Sequence, residues 1–102
     1  MRLPERYVHE YTAAMSEPGA LTGALNWYRA LALPGGGTAG GDGLVHVPTR
    51  YIWGRKDGAL GRKAAELTER YVAAPYRFIE LEVGHWIPEV APEVLAAELL
   101  RP

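Results

Sequence analysis

Two short segments of this sequence carry side chains suited to acid–base work. One is Tyr51-Ile52-Trp53-Gly54-Arg55-Lys56-Asp57, which ends on a carboxylate; the other is Val83-Gly84-His85-Trp86. A histidine titrates near neutrality and can take or give a proton there. A carboxylate bonded to it fixes the tautomer of the ring and stabilises its protonated form. Each residue also has a plainer reading. Asp57 can open an Asx-turn ahead of the next helix, and His85 can be a partly buried histidine with a satisfied ring. Position favours the joint reading. Both follow predicted strands, and ligands and catalytic groups collect at the carboxyl ends of strands in open α/β sheets.

The elements that must hold this pair are legible nearby. Val45 to Trp53 is rich in β-branched and aromatic residues, interrupted by Pro48, and predicts a strand from about Thr49 to Trp53. Gly54 to Gly61 is a loop. Arg62 to Ala73, with Ala65, Leu67, Tyr71 and Val72 at apolar positions, predicts a helix. Tyr76 to Val83 predicts a second strand, and Val90 to Leu100, preceded by Pro88, a closing helix. Strand, helix, strand, helix is a β-α-β-α unit with two parallel strands, which puts both strand ends on the same side.

The first part of the chain is helical in pattern. Arg6 to Met15 places Tyr7, Val8, Tyr11 and Met15 near helical spacing. Ser16 is expected to cap the next helix, with Pro18 in its first turn. From Pro18 to Leu33, the residues Leu21, Leu25, Tyr28 and Ala32 line one face. Residues 34–43 hold Gly35, Gly36, Gly37, Gly40, Gly41 and Gly43 and suit a flexible linker. A phosphate-binding loop needs a strand before it and a helix after it, and the order here is the reverse. The expected organisation is therefore a helical segment over 1–33, a linker over 34–43 and an α/β segment over 44–102.

Composition narrows the function. The 102 residues carry 11 Lys plus Arg against 12 Asp plus Glu, a net charge of -1, so no basic excess exists to hold nucleic acid. Cysteine is absent, which removes thiol nucleophiles and cysteine-ligated zinc and fits a cytoplasmic protein. No apolar run approaches the roughly 20 residues that span a bilayer, so no membrane role is expected. The start has no apolar signal region. His9, His46 and His85 have neither helical partners nor clustered carboxylates, so no metal and no cofactor is expected. Two strands leave an open sheet edge, which invites pairing with another chain.

The order strand-Trp-Gly-x-x-Asp, helix, strand-Gly-His-Trp resembles the C-terminal part of an α/β-hydrolase. The segment Leu25-Asn26-Trp27-Tyr28-Arg29 resembles the last cap helix of the epoxide-hydrolase and haloalkane-dehalogenase-like branch. The likeness runs from about Tyr11 to Leu100 and implies a partial α/β-hydrolase fold: two helices as a cap remnant, then the β-α-β-α unit. It implies that Asp57 is the triad acid and that His85 activates a water against a covalent intermediate. It also implies that Tyr28 hydrogen-bonds an epoxide oxygen as the ring opens. A phenol can donate to a developing alkoxide, but Tyr28 also reads as packing with Leu21 and Leu25. Trp53 and Trp86 are candidates for lining the site of a small hydrophobic substrate, and both also read as core or rim packing.

The resemblance also defines what these residues lack. The nucleophile of the family sits on a sharp strand-turn-helix elbow. The one serine, Ser16, lies in Met15-Ser16-Glu17-Pro18-Gly19, and Asp42 lies in Gly41-Asp42-Gly43-Leu44; neither context is an elbow. The approach Leu81-Glu82-Val83-Gly84-His85 is one residue shorter than usual, so the reach of His85 becomes a question of geometry. The chain is expected to be inactive alone and to need an N-terminal partner chain or a homo-oligomer. The alternative is a small non-catalytic module that pairs through its open sheet edge.

Overall fold

The structure is a computed structural model that describes residues 2–34 and 41–102. The expected linker over 34–43, and with it the phosphate-loop alternative, lies mostly outside the described residues. In chain order the elements are helices α1 (Glu5–Met15) and α2 (Ala20–Ala30), strand β1 (Thr49–Gly54) and helix α3 (Arg62–Leu67). A 3-10 turn (Thr68–Tyr71), strand β2 (Tyr76–Leu81) and helices α4 (Ile87–Val90) and α5 (Pro92–Leu100) follow. They fall into two compact units, Pro4–Asp42 and Gly43–Pro102.

In the 43–102 unit, β1 and β2 pair in parallel, from Thr49 opposite Tyr76 to Gly54 opposite Leu81. Successive side chains of a strand point to opposite faces. One face therefore carries Tyr51 and Trp53 beside Phe78 and Glu80. The Phe78 ring lies 5.6 Å from that of Tyr51 and stacks on Trp53 at 6.4 Å. Arg62, the first residue of α3, covers Trp53 with its guanidinium 4.9 Å from the ring and grips Glu80 with two nitrogens at 2.7 and 3.1 Å. The other face carries Arg50, Ile52, Arg77 and Ile79, and there α5 is held by polar contacts. Arg77 pairs with Glu98 at 3.2 Å. Arg50 donates to the carbonyl of Glu98, one of the orphan acceptors in the last turn of α5, and to those of Arg101 and Pro102 just beyond it. The sheet thus has a helix on each face, as parallel strands require.

The apolar core of the described residues is thin: Trp53 is 3% exposed, Ala65 1% and Ala91 6%. Hydrogen bonds and ion pairs, more than bulk burial, fix the geometry of this unit.

Several boundaries differ from those the sequence predicts. The helix expected over Arg62–Ala73 keeps α-helical form only to Leu67. The Thr68 hydroxyl donates back to the Ala64 carbonyl at 2.9 Å, a contact that competes with regular helix. Val72 is drawn into an isolated parallel bridge with Val45, in which Val45 N–H donates to Tyr71 and Ala73 N–H to Val45, both at 2.8 Å. The second strand stops at Leu81 rather than Val83. The closing helix is divided, because Pro92 lacks an N–H and sits at its first turn. Ser16 does not cap α2. Its hydroxyl donates to the Thr12 carbonyl at 2.7 Å and so closes α1. Gly19, at φ 79°, precedes α2 instead, a left-handed conformation that favours glycine.

In the 4–42 unit, α1 and α2 contact each other, yet neither contains a buried residue. Tyr7 stacks on Tyr11 at 6.2 Å, and Arg6 lies 4.6 Å from the Tyr7 ring.

Candidate active site

Gly54 ends β1, and the chain then turns tightly, with Asp57 N–H donating to the Gly54 carbonyl at 3.0 Å. This turn is bonded to the segment that leaves β2. Arg55 N–H donates to Leu81 at 2.9 Å and Lys56 N–H to Val83 at 3.0 Å. The approach requires glycine at position 54. A Cβ there would overlap the Gly84 carbonyl oxygen and lie 2.5 Å from that of Val83. Side chains reinforce the junction: Arg55 pairs with Glu82 and lies 3.8 Å from Glu80, and Lys56 lies 4.0 Å from Glu82.

This junction brings Asp57 and His85 together. Asp57 Oδ1 accepts from the Ala59 N–H at 2.7 Å and the Leu60 N–H at 2.9 Å. Asp57 Oδ2 meets His85 Nδ1 at 2.8 Å. The Asx-turn and the acid–histidine pair, open alternatives at the level of sequence, coexist on different oxygens of one carboxylate. The shortened approach to His85 proves long enough, because the turn after β1 is drawn up against Val83 and Gly84.

The protonation states follow. Burial pushes the Asp57 carboxyl up, but the hydrogen bonds from Leu60, His85 and Ala59 together outweigh it and hold the group below its ordinary value. An ionised carboxylate can only accept, so His85 Nδ1 carries the proton. The Asp57 side chain is 5% exposed and that of His85 49%. The acid is thus enclosed and the imidazole opens to solvent. Trp86 sits edge-on to the His85 ring at 5.8 Å and is half-exposed.

The other candidate residues are placed as follows. Trp53 lies beneath the Asp57 turn, almost wholly buried, and its Nε1–H donates to the Leu60 carbonyl at 2.9 Å. Tyr28 belongs to the other unit, on α2, and is 71% exposed; its neighbours on that face, Leu21 and Leu25, are exposed as well. Asn26 accepts from Arg29 at 3.0 Å on the same helix. Among the described residues no group of three or more metal-ligating side chains gathers. No described helix is long and apolar enough to cross a membrane.

No family model matches the sequence. Individual relatives do. An AB hydrolase superfamily protein, YfhM, of Bacillus subtilis strain 168 is 41% identical over 94 residues, 92% of this chain and 32% of the relative. Epoxide hydrolase 4 of Mus musculus is 33% identical over 88 residues, 83% of this chain and 23% of the relative. Epoxide hydrolase 3 of Xenopus tropicalis is 32% identical over 93 residues, 90% of this chain and 24% of the relative.

The chain belongs to the α/β-hydrolase family, on its epoxide-hydrolase-like side.

It spans about a quarter to a third of the length of these hydrolases. The two parallel strands with flanking helices are accordingly a partial α/β-hydrolase architecture. Sequence reasoning names both residues of the bonded Asp57–His85 pair but misses the groups that orient them. The donors at Ala59 and Leu60 are backbone groups with no residue-type signature. Gly54 carries a signal, a glycine directly after a strand, which can mark close backbone approach.

Proposed function

We propose that this chain carries the acid and the base of an epoxide-hydrolase-like active site, with Asp57 as the triad acid and His85 as the general base. The observation that supports this is the 2.8 Å bond from His85 Nδ1 to an enclosed carboxylate, beside an imidazole open to solvent. In the reaction, a nucleophile first opens the substrate and forms a covalent ester. A water then attacks that ester while His85 Nε2 takes its proton, and Asp57 stabilises the imidazolium. Tyr28 is the donor to the epoxide oxygen. Trp86, against the His85 ring, lines the site for a small hydrophobic substrate, and Trp53 supports it from below. Among the described residues no strand-turn-helix elbow carries a nucleophile, so these residues by themselves are inactive, and a nucleophile-bearing segment or partner from outside them completes the site.

The test is hydrolysis of a styrene-oxide-type epoxide and of a p-nitrophenyl ester by the purified chain, with His85→Ala beside it. The expected result is no turnover above the mutant. Turnover that disappears with His85→Ala means that the chain or its oligomer supplies a nucleophile, which overturns the half-site.

One feature favours a second reading from another class. Among the described residues the sheet has two strands, so each pairs on one side and offers its other edge. A non-catalytic module that binds through such an edge keeps its partner when His85 is replaced by alanine. A half-site loses its activity with that change even when the partner stays bound.

A further inference from the structure

A closed circuit of contacts surrounds the Asp57 carboxylate, and it begins and ends on the β2 segment. Glu80 of β2 accepts both nitrogens of the Arg62 fork. The Arg62 guanidinium covers the indole of Trp53, the residue paired with Glu80 in the sheet register. The indole N–H donates to the Leu60 carbonyl at 2.9 Å. The N–H of that same residue donates to Asp57 Oδ1 at 2.9 Å, and Asp57 Oδ2 reaches His85, four residues beyond the end of β2.

Leu60 is therefore held at both its polar groups: its N–H by the carboxylate and its C=O by the indole. Apart from the bond between Asp57 and His85, no other side chain grips the turn from Asp57 to Leu60 among the described bonds. A free turn can rotate its N–H groups away, and the carboxylate would swing with them. The buried indole prevents this, since its ring is held by contacts with both Phe78 and Arg62.

We propose that Trp53, clamped by Arg62, is the positioning residue that aims the Asp57 carboxylate at His85. This rests on the reading of Asp57 and His85 as the working pair, but it is tested without turnover. A tryptophan here does more than fill space: its N–H sets a peptide whose other end sets the carboxylate. Phe78 packs against the same ring and bonds nothing in the turn, which makes it the control for packing alone.

The experiment follows the Asp57 side-chain carboxyl by carbon NMR across an acid titration of the full chain. The imidazole Nδ1–H proton resonance of His85 is read in the same samples. Trp53→Phe keeps a ring and removes the donor. Loss of one hydrogen bond of about 1 kcal/mol on the anion's support corresponds to an upward shift of about half to one pH unit in the Asp57 midpoint. The Nδ1–H resonance is expected to weaken through faster exchange with water. Arg62→Gln, at the surface, is expected to move both signals the same way by less. Phe78→Leu, at comparable loss of thermal stability, is expected to leave the midpoint in place. An unmoved midpoint in Trp53→Phe, or an equal shift in Phe78→Leu, overturns the proposal, as does an ordinary Asp57 midpoint in the parent chain. Failure of the hydrolase reading shows instead as an intact NMR pattern in a chain that no nucleophile-bearing partner activates.

Discussion

The two tryptophans with the most contrasting environments, Trp53 in the 43–102 unit and Trp27 in the 4–42 unit, show how differently the units are held. Trp53 is 3% exposed, bonded through its N–H and in contact with Phe78 and Arg62; Trp27 is 79% exposed on a helix with no buried residue. The α/β unit uses its few buried apolar residues as the supports of a polar junction. The helical unit shows its apolar residues to solvent. Hydrophobic content alone does not decide where a chain is structurally committed; the number of directional contacts each side chain makes does. Replacing each tryptophan by alanine should bring the contrast out most strongly. Trp53→Ala removes a buried aromatic and is expected to cost about 3–5 kcal/mol, whereas Trp27→Ala changes stability by no more than about 0.5 kcal/mol. Urea unfolding followed by far-UV circular dichroism reads both. Equal costs would mean that the 4–42 helices bury Trp27 in solution.

Two glycines sharpen the same comparison, with effects of opposite sign. Gly54 has no room for a Cβ, because the backbone of Val83 and Gly84 already occupies that space. Gly54→Ala must push the two strand-end segments apart, at a cost of about 1–3 kcal/mol, and His85 should lose its bond to Asp57. Gly23 lies inside α2, with open space for 4 Å around the point a Cβ would take. Gly23→Ala is expected to stabilise that helix by about 0.5–1 kcal/mol, because alanine loses less backbone entropy there. Thermal melts of the two variants against the parent chain check both signs. A neutral Gly54→Ala would mean that the strand-end junction is looser than its hydrogen bonds indicate.

These contrasts also show what a sequence discloses. The two strands are legible because Thr49 to Trp53 and Tyr76 to Val83 are rich in β-branched, aromatic and aliphatic residues, and Gly54 marks the end of the first, whereas the second stops at Leu81, short of the predicted Val83. Asp57 and His85 are legible because their types and positions after strands are chemically specific. The Leu60 peptide is not, since it acts through backbone atoms and any residue supplies those. The role of Trp53 is hidden for a related reason. Its type signals burial, but its N–H finds Leu60 only once the Asp57 turn has formed. The early end of α3 depends on a local competition at Thr68 and on a distant one, the Val45–Val72 bridge, which no window of helical periodicity contains. In α2 the apolar spacing predicts a packing face, and the structure leaves Leu21 and Leu25 exposed. Amphipathic spacing specifies a face and not what covers it.

The smallest expected effect is one of pH, and it belongs to the 43–102 unit. Three of its carboxyls lie below their ordinary values. Glu80 is held down chiefly by its hydrogen bond from Arg62, and Glu98 by its hydrogen bond from Arg77. At Asp57, burial acts upward and is outweighed by the bonds from Leu60, His85 and Ala59. A carboxyl whose folded value lies below its unfolded one contributes stability above the unfolded value, about 4, and loses it as the pH falls through the folded value. The unit should therefore keep full stability from neutrality down to about pH 4 and lose it progressively below that. Near-UV circular dichroism of the buried Trp53 environment reads this loss. Glu98→Gln removes one of the three contributions and loosens α5 from Arg77, so its acid transition should be shallower in pH and start from a lower stability. Far-UV signal from α1 and α2 that fell in step with the near-UV signal would break the contrast. It would show that the helices depend on the junction for their own persistence.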